Sequence, residues 1–187
     1  MNLNTPQWYA LQIQSRLASV ASTVLRGKGY EEFLPLYSSR RRWSDRMKTI
    51  ELPLFPGYLF CRFNPRDRML PILTTPGVMG IVSAGKTPLP IAEDEIDAVR
   101  RVICSGLAAQ PWPYLNVGSR VYIEAGPLAG LEGVVTNTDK NYRLVVSVTM
   151  LQRSVAVEID REWARPVTSH MHPRGVTLSD GLLQHAG

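Results

Sequence analysis

The sequence predicts an α+β domain with a mainly antiparallel sheet, joined by a short linker to a small all-β barrel. Three observations predict it. Over residues 1–105, apolar residues recur alternately at strand and helix spacing, in the order strand, helix, strands, helix, strand, helix. Over residues 117–167 the pattern changes to short β-branched runs punctuated by glycine. Between them, residues 106–116 include Pro111-Trp112-Pro113 and have the composition of a flexible linker long enough for the two parts to move independently.

The elements follow in order. Tyr9, Leu11 and Ile13 alternate with more polar neighbours, which predicts a half-buried strand over Trp8–Gln14. Ser15 is placed to cap a helix carrying Leu17, Val20, Ala21 and Val24, and Gly27-Lys28-Gly29 ends it. Phe33–Tyr37 reads as a second strand, with Pro35 marking an edge or bulge. Arg40–Trp43 and Thr49–Leu54 flank Ser44-Asp45-Arg46-Met47 as a hairpin. Phe55-Pro56-Gly57 turns the chain into the apolar strand Tyr58–Phe63. A short amphipathic helix with Met69, Leu70, Ile72 and Leu73 precedes a strand at Val78–Val82. The last helix of this part runs from about Glu93 to Cys104, its acidic start suited to the helix dipole. Strands are then expected at Arg120–Ile123, Gly133–Thr136, Arg143–Thr149 and Val155–Ile159, and near Arg165–Val167. Residues 168–187 lack periodicity and read as a disordered tail.

Composition narrows the function. Fourteen Lys and Arg face nine Asp and Glu up to Gln110, and seven face seven beyond it, so the whole net charge of +5 sits in the first part. That asymmetry suits one part facing an anionic partner. All three histidines, His170, His172 and His185, fall in the tail, leaving the body without histidine for acid–base work or metal binding. The chain therefore reads as a non-enzyme with no cofactor and no metal site. Without a secretion signal or a long apolar run, it reads as cytoplasmic, monomeric and without a membrane partner. Cys61 and Cys104 read as free, buried thiols.

The basic hairpin Arg40, Arg41, Arg42, Trp43, Arg46 and Lys48 sets five positive charges and one aromatic around a tip. Phosphate attraction accounts for such a patch, and Trp43 can stack on a base or pack beneath.

Two stretches resemble a known family. Val117-Gly118-Ser119-Arg120-Val121, followed by Gly126-Pro127-Leu128-Ala129-Gly130-Leu131-Glu132-Gly133-Val134-Val135, resembles a KOW motif. Trp8-Tyr9-Ala10-Leu11, Pro53-Leu54-Phe55-Pro56-Gly57-Tyr58-Leu59-Phe60, Thr75-Pro76-Gly77-Val78 and Pro90-Ile91 resemble the N-terminal (NGN) domain of NusG-type transcription factors. Tyr30–Tyr37 and Arg42-Trp43-Ser44-Asp45-Arg46 are similar to the specialised UpxY and RfaH-like antiterminators.

The resemblance implies an NGN domain over 1–105 and an SH3-like KOW barrel over 117–167. It implies an elongation and antitermination factor that suppresses pausing or termination, often in an operon-specific way. Its partners would be the clamp region of the largest RNA polymerase subunit, the non-template DNA, and a small-subunit ribosomal protein or Rho at the barrel. Tyr58 and Phe60 are the first candidates for polymerase contact, with Trp8, Phe55 and Val78 nearby; Phe55 and Trp8 can equally serve as core. The face of the first helix offers Gln14, Arg16, Ser19, Thr23 and Arg26 to DNA bases. Two other readings stay open: a housekeeping NusG that assists Rho, and a ribosome- or RNA-binding KOW protein. The β-branched runs argue for a barrel rather than the helical hairpin that RfaH-like factors can adopt.

Overall fold

The computed structural model describes residues 5–43, 46–113, 118–137 and 142–167. Among these, the first unit contains strand β1 (Gln7–Ile13), helix α1 (Ala18–Gly27), β2 (Glu31–Phe33), β3 (Leu36–Trp43), β4 (Arg46–Pro53) and β5 (Tyr58–Phe63). Helix α2 (Met69–Leu73), β6 (Val78–Ile81), β7 (Ser83–Ala84), β8 (Thr87–Pro88), β9 (Pro90–Ile91) and α3 (Glu93–Cys104) complete it. The second unit is made of β10 (Ala109–Pro113), β11 (Ser119–Ile123), β12 (Glu132–Asn137), β13 (Tyr142–Val148), β14 (Arg153–Ile159) and β15 (Ala164–Pro166).

The antiparallel order β2-β5-β1-β6, with β9 added to β1, makes the central sheet. Alternation along β1 and β5 divides the sheet into two apolar faces. Tyr9, Leu11, Ile13, Leu59, Cys61 and Phe63 pack with Ala21 and Leu25 of α1 and Ile72 of α2. Trp8, Ala10 and Phe60 point the other way, into a cluster with Ile96, Val99 and Val102 of α3. The unit is thus a sheet sandwiched between α1 and α2 on one side and α3 on the other.

The structure corrects local expectations. Ser15 does not cap α1: it begins a 3-10 turn, Ser15–Leu17, and α1 starts without a side-chain cap. Pro35 falls between β2 and β3, so the expected second strand is two, each pairing elsewhere. Cys61 is buried, but Cys104 is exposed at the end of α3. Burial, with the nearby Glu32 and Glu31 carboxylates and against the pull of Arg68, pushes the Cys61 thiol up to about 12. An alkylating reagent at mildly alkaline pH should therefore modify Cys104 in the native protein and reach Cys61 only after denaturation. Peptide mass mapping checks this, and native labelling of Cys61 would contradict the assigned burial.

The second unit is the expected β structure, in the order β10-β14-β13-β12-β11-β15. Its core comprises Val121, Ile123, Leu144, Val146, Val148, Val155, Val157 and Ile159. The segment read as a flexible linker differs from expectation. Ala109–Pro113 is the sixth strand of the barrel sheet, paired antiparallel with β14 over Ala109↔Val157 to Pro113↔Arg153. The barrel also rests on the first unit. Helix α3 packs on β13, and one continuous buried cluster runs from Trp8 and Ile96 into the barrel core. The Thr149 backbone N–H donates to Glu95 Oε1 at 3.2 Å, and Arg101 donates to the Ala129 carbonyl. Residues 1–4, 114–117 and 168–187, including the expected tail and its histidines, lie outside the described residues.

Candidate functional site

The Phe55-Pro56-Gly57-Tyr58 turn sets the first candidate surface. Tyr58 N–H donates to the Phe55 carbonyl at 3.0 Å, and Gly57 sits at φ +86°, so Pro56 and Gly57 occupy the central positions a type II turn favours. The Gly57 carbonyl accepts from Ile13 N–H at 2.9 Å, which ties the turn to the end of β1. Tyr58 emerges from the turn half-buried.

The other aromatics do not share its exposure. Phe60 is fully buried, and Trp8 and Phe55 are 1% exposed. The Phe60 ring meets Phe55 edge-on at 5.3 Å and stacks on Phe33 at 6.1 Å. Trp8 donates its indole N–H to Glu93 at 3.3 Å, and the Arg100 guanidinium lies over its ring at 4.7 Å. Arg100 is held in turn by Glu31 at 3.0 Å and Asp97 at 3.4 Å. Three expected contact residues are therefore core aromatics beneath α3, because that helix covers the face they point to. Val78 is half-buried, but it packs on the opposite face with the α1 cluster. A register shift at Gln12/Ile13, where β6 meets β1, accompanies that placement. Of the five residues, Tyr58 alone combines partial exposure with the α3 side of the sheet.

The second candidate surface is the outer face of α1. Ser19, Thr23 and Arg26 are exposed there at helical spacing, and Gln14 and Arg16 are exposed just before it, at the start of and within the 3-10 turn. Ser19, Thr23 and Arg26 border a shallow groove of about 320 Å³ that also touches Glu32 and Phe33, and Gln14 and Arg16 lie outside it. Two of the five already have partners. Thr23 Oγ1 donates to the Ser19 carbonyl at 3.0 Å, and Arg26 Nε donates to Glu32 Oε1 at 3.0 Å. The Glu32 side chain is only 4% exposed and also accepts from Ser22 Oγ at 2.8 Å. Sequence spacing could not reveal Glu32, which reaches Arg26 only because β2 lies beside α1.

The third is the β3–β4 hairpin, a separate two-stranded sheet. Its register sets Arg40 opposite Thr49, Arg41 opposite Lys48, Arg42 opposite Met47 and Trp43 opposite Arg46. The side chains of Arg40, Arg41, Arg42, Trp43 and Arg46 lie outside what is described; Lys48 and Met47 are exposed. The register thus brings the basic positions of the two strands together along one hairpin.

Among the described residues, no group of three or more His, Cys, Asp or Glu side chains is placed to hold a metal. No described helix is long and apolar enough to cross a membrane.

Comparison with known proteins agrees with the arrangement. Residues 6–100 match the family model described as transcription termination factor nusG. The transcription termination/antitermination protein NusG of Escherichia coli K12 is 31% identical over 134 residues, covering 70% of this chain and 71% of that protein. The protein of the same name from Thermus thermophilus is 31% identical over 131 residues, covering 64% and 70%. That from Vibrio vulnificus is 27% identical over 167 residues, covering 82% and 92%. A solved structure entitled "Domain interaction in Thermotoga maritima NusG" superposes with a TM-score of 0.56 at 19% identity, over 89% of this chain and all of that one, a likeness of fold.

Proposed function

The chain belongs to the NusG family of transcription termination and antitermination factors, and from that premise we propose that its first unit binds RNA polymerase through a surface centred on Tyr58. The observation that carries this is the half-buried tyrosine that the FPG turn presents at the start of β5, on the face where its aromatic neighbours are buried. The polymerase partner is the clamp region of the largest subunit, gripped so that the enzyme stays processive. The α1 face and the basic hairpin lie toward the non-template DNA. The barrel recruits a small-subunit ribosomal protein; recruitment of Rho by the barrel would mark the general role instead. The action is operon-specific antitermination, supported by the similarity of Tyr30–Tyr37 and Arg42-Trp43-Ser44-Asp45-Arg46 to the specialised UpxY and RfaH-like antiterminators.

Tyr58→Ala tests the polymerase surface. Removing a central aromatic anchor costs about 2 kcal/mol, or roughly thirtyfold in affinity. The variant should keep the wild-type circular dichroism and melting curve while binding purified core polymerase correspondingly more weakly. Equal affinity in a folded variant overturns the assignment.

The hairpin gives a second expectation. Each phosphate contact by Arg or Lys steepens the salt dependence of binding. Replacing Arg41, Arg42 and Arg46 with serine should flatten the slope of elongation-complex affinity against salt. An unchanged slope would leave these charges as solvated surface.

The relatives' shared name includes termination beside antitermination, and the family resemblance gives a second reading, a housekeeping factor that assists Rho-dependent termination. Binding of purified Rho to the intact chain separates the two: stable binding supports the general role, and none supports the operon-specific one.

A further inference from the structure

We propose that the groove between α1 and β2 is a pocket for one unstacked guanine of single-stranded DNA, read by the Glu32 carboxylate. The inference rests on the reading that the α1 face lies toward the non-template strand; it adds which base that face selects and which side chain selects it.

The floor of the groove sets the chemistry of its ligand. Glu32 is a buried acceptor: its side chain is only 4% exposed, and it holds the Ser22 hydroxyl on Oε2 at 2.8 Å and the Arg26 guanidinium on Oε1. A carboxylate at such depth must keep donors, because losing them without replacement leaves a desolvated polar group unsatisfied. Ser22 lies on the packed face of α1, whereas the Arg26 side chain is 72% exposed. An ion pair with so exposed a partner contributes little, so exchanging that guanidinium for another pair of N–H groups is cheap. A phosphate brings only acceptors and is repelled. Among the bases, guanine alone carries two adjacent donors on its pairing edge, N1–H and the N2 amine, the same N–C–N unit that lets a guanidinium fork meet a carboxylate. Thymine sets one N–H between two carbonyls, and cytosine and adenine set an amine beside a ring-nitrogen acceptor.

The surroundings suit a base on an unpaired strand. Half-buried Phe33, Leu34 and Leu36 line the groove with Glu32 and give a ring apolar surface to lie on beside the carboxylate. Leu36 begins β3, and Arg40 stands four residues further along the same strand, ~13 Å away, so a DNA backbone passing the groove can continue along the basic positions of the hairpin. Arg26, released by the base, is placed to meet a phosphate of that backbone, which couples base choice to backbone grip. In duplex DNA the guanine N1–H and N2 amine are spent on cytosine, so the pocket acts on single strand alone.

The test uses the intact chain and elongation complexes whose non-template bubble is all thymine or carries one guanine, walked through the bubble a position at a time. At one position guanine should raise the affinity about tenfold over thymine. There, 7-deazaguanine, which keeps N1–H and the N2 amine, should bind as guanine does. Inosine, which lacks the N2 amine, should fall most of the way to thymine. Glu32→Gln, which exchanges one acceptor oxygen for an amide donor, should bring the guanine-to-thymine affinity ratio to about one, and Arg26→Ala should keep the preference. Equal affinities for guanine and thymine at every position would overturn the inference, as would a preference that survives Glu32→Gln. A preference kept by inosine but lost with 7-deazaguanine or in Arg26→Ala would also overturn it, because Arg26 would then be reading the N7–O6 edge. The analogue comparison is made on the wild type, so poor folding of a variant cannot hide the result. Complexes lacking the non-template strand separate this inference from the reading beneath it. If removing that strand leaves wild-type affinity unchanged, the DNA-facing reading fails and the inference with it; if removal weakens binding but guanine gains nothing, the inference alone fails.

Discussion

Replacing Phe60 with alanine is expected to destabilise the first unit, lowering its melting temperature by about 10 °C or more. Phe60 is fully buried, packed between Phe55 and Phe33 beneath α3. Truncating such a ring leaves a cavity and forfeits transfer energy, together about 3–5 kcal/mol. Against a total stability of about 5–15 kcal/mol, that is a large fraction. A thermal melt followed by circular dichroism, with Phe60→Leu as the better-filled control, measures it. If Phe60→Ala melts within a degree or two of wild type, the ring is not core. The contrast with Tyr58 is the informative part: both residues stand on one strand face two positions apart, yet one substitution should remove stability and the other binding. Weak polymerase binding by Phe60→Ala would then report unfolding rather than a lost contact.

Gly126→Ala should destabilise the barrel. Gly126 opens the β11–β12 connection at φ +78°, where a side chain is strained. A Cβ there would lie 2.8 Å from Cδ2 and Cε3 of the Trp163 ring, closer than any carbon contact allows. The ring cannot easily withdraw, because the Trp163 carbonyl accepts from Glu124 N–H at 2.8 Å and the side chain packs on the shared core. Strain and overlap together cost about 2 kcal/mol or more. Amide exchange in β11 to β15 of the variant should speed up by about tenfold or more while that of β1 and β5 is unchanged. Unchanged exchange in both units would show that the turn yields more readily than its contacts suggest. Gly57→Ala, at a similar φ but with open space around the missing Cβ, isolates the strain alone and should cost less.

The sequence by itself determined the elements whose signal is local. Alternation at Trp8–Gln14 gave β1 to within a residue, helical spacing gave α3 at Glu93–Cys104, and glycine-punctuated β-branched runs gave β11 to β15. It also carried the family, because the FPGY turn and the glycines after β11 are short motifs whose backbone demands are written in residue type. Tertiary structure decided which aromatics face outward. Trp8, Phe55 and Phe60 look alike in sequence to an exposed contact cluster, and they are core because α3, whose Glu93 meets Trp8 from 85 residues away, closes over them. Val78 went to the opposite face, where β6 joins β1 through a register shift that no propensity encodes. Arg26 acquired Glu32 through the packing of β2 against α1. The Pro-Trp-Pro segment has the composition of a linker, since proline removes donors that a strand normally uses. It is nevertheless a strand because β14, with pairing partners 40 to 48 residues downstream (Arg153 opposite Pro113 to Val157 opposite Ala109), offers an edge to pair with, and partners at such separation leave no trace in local composition.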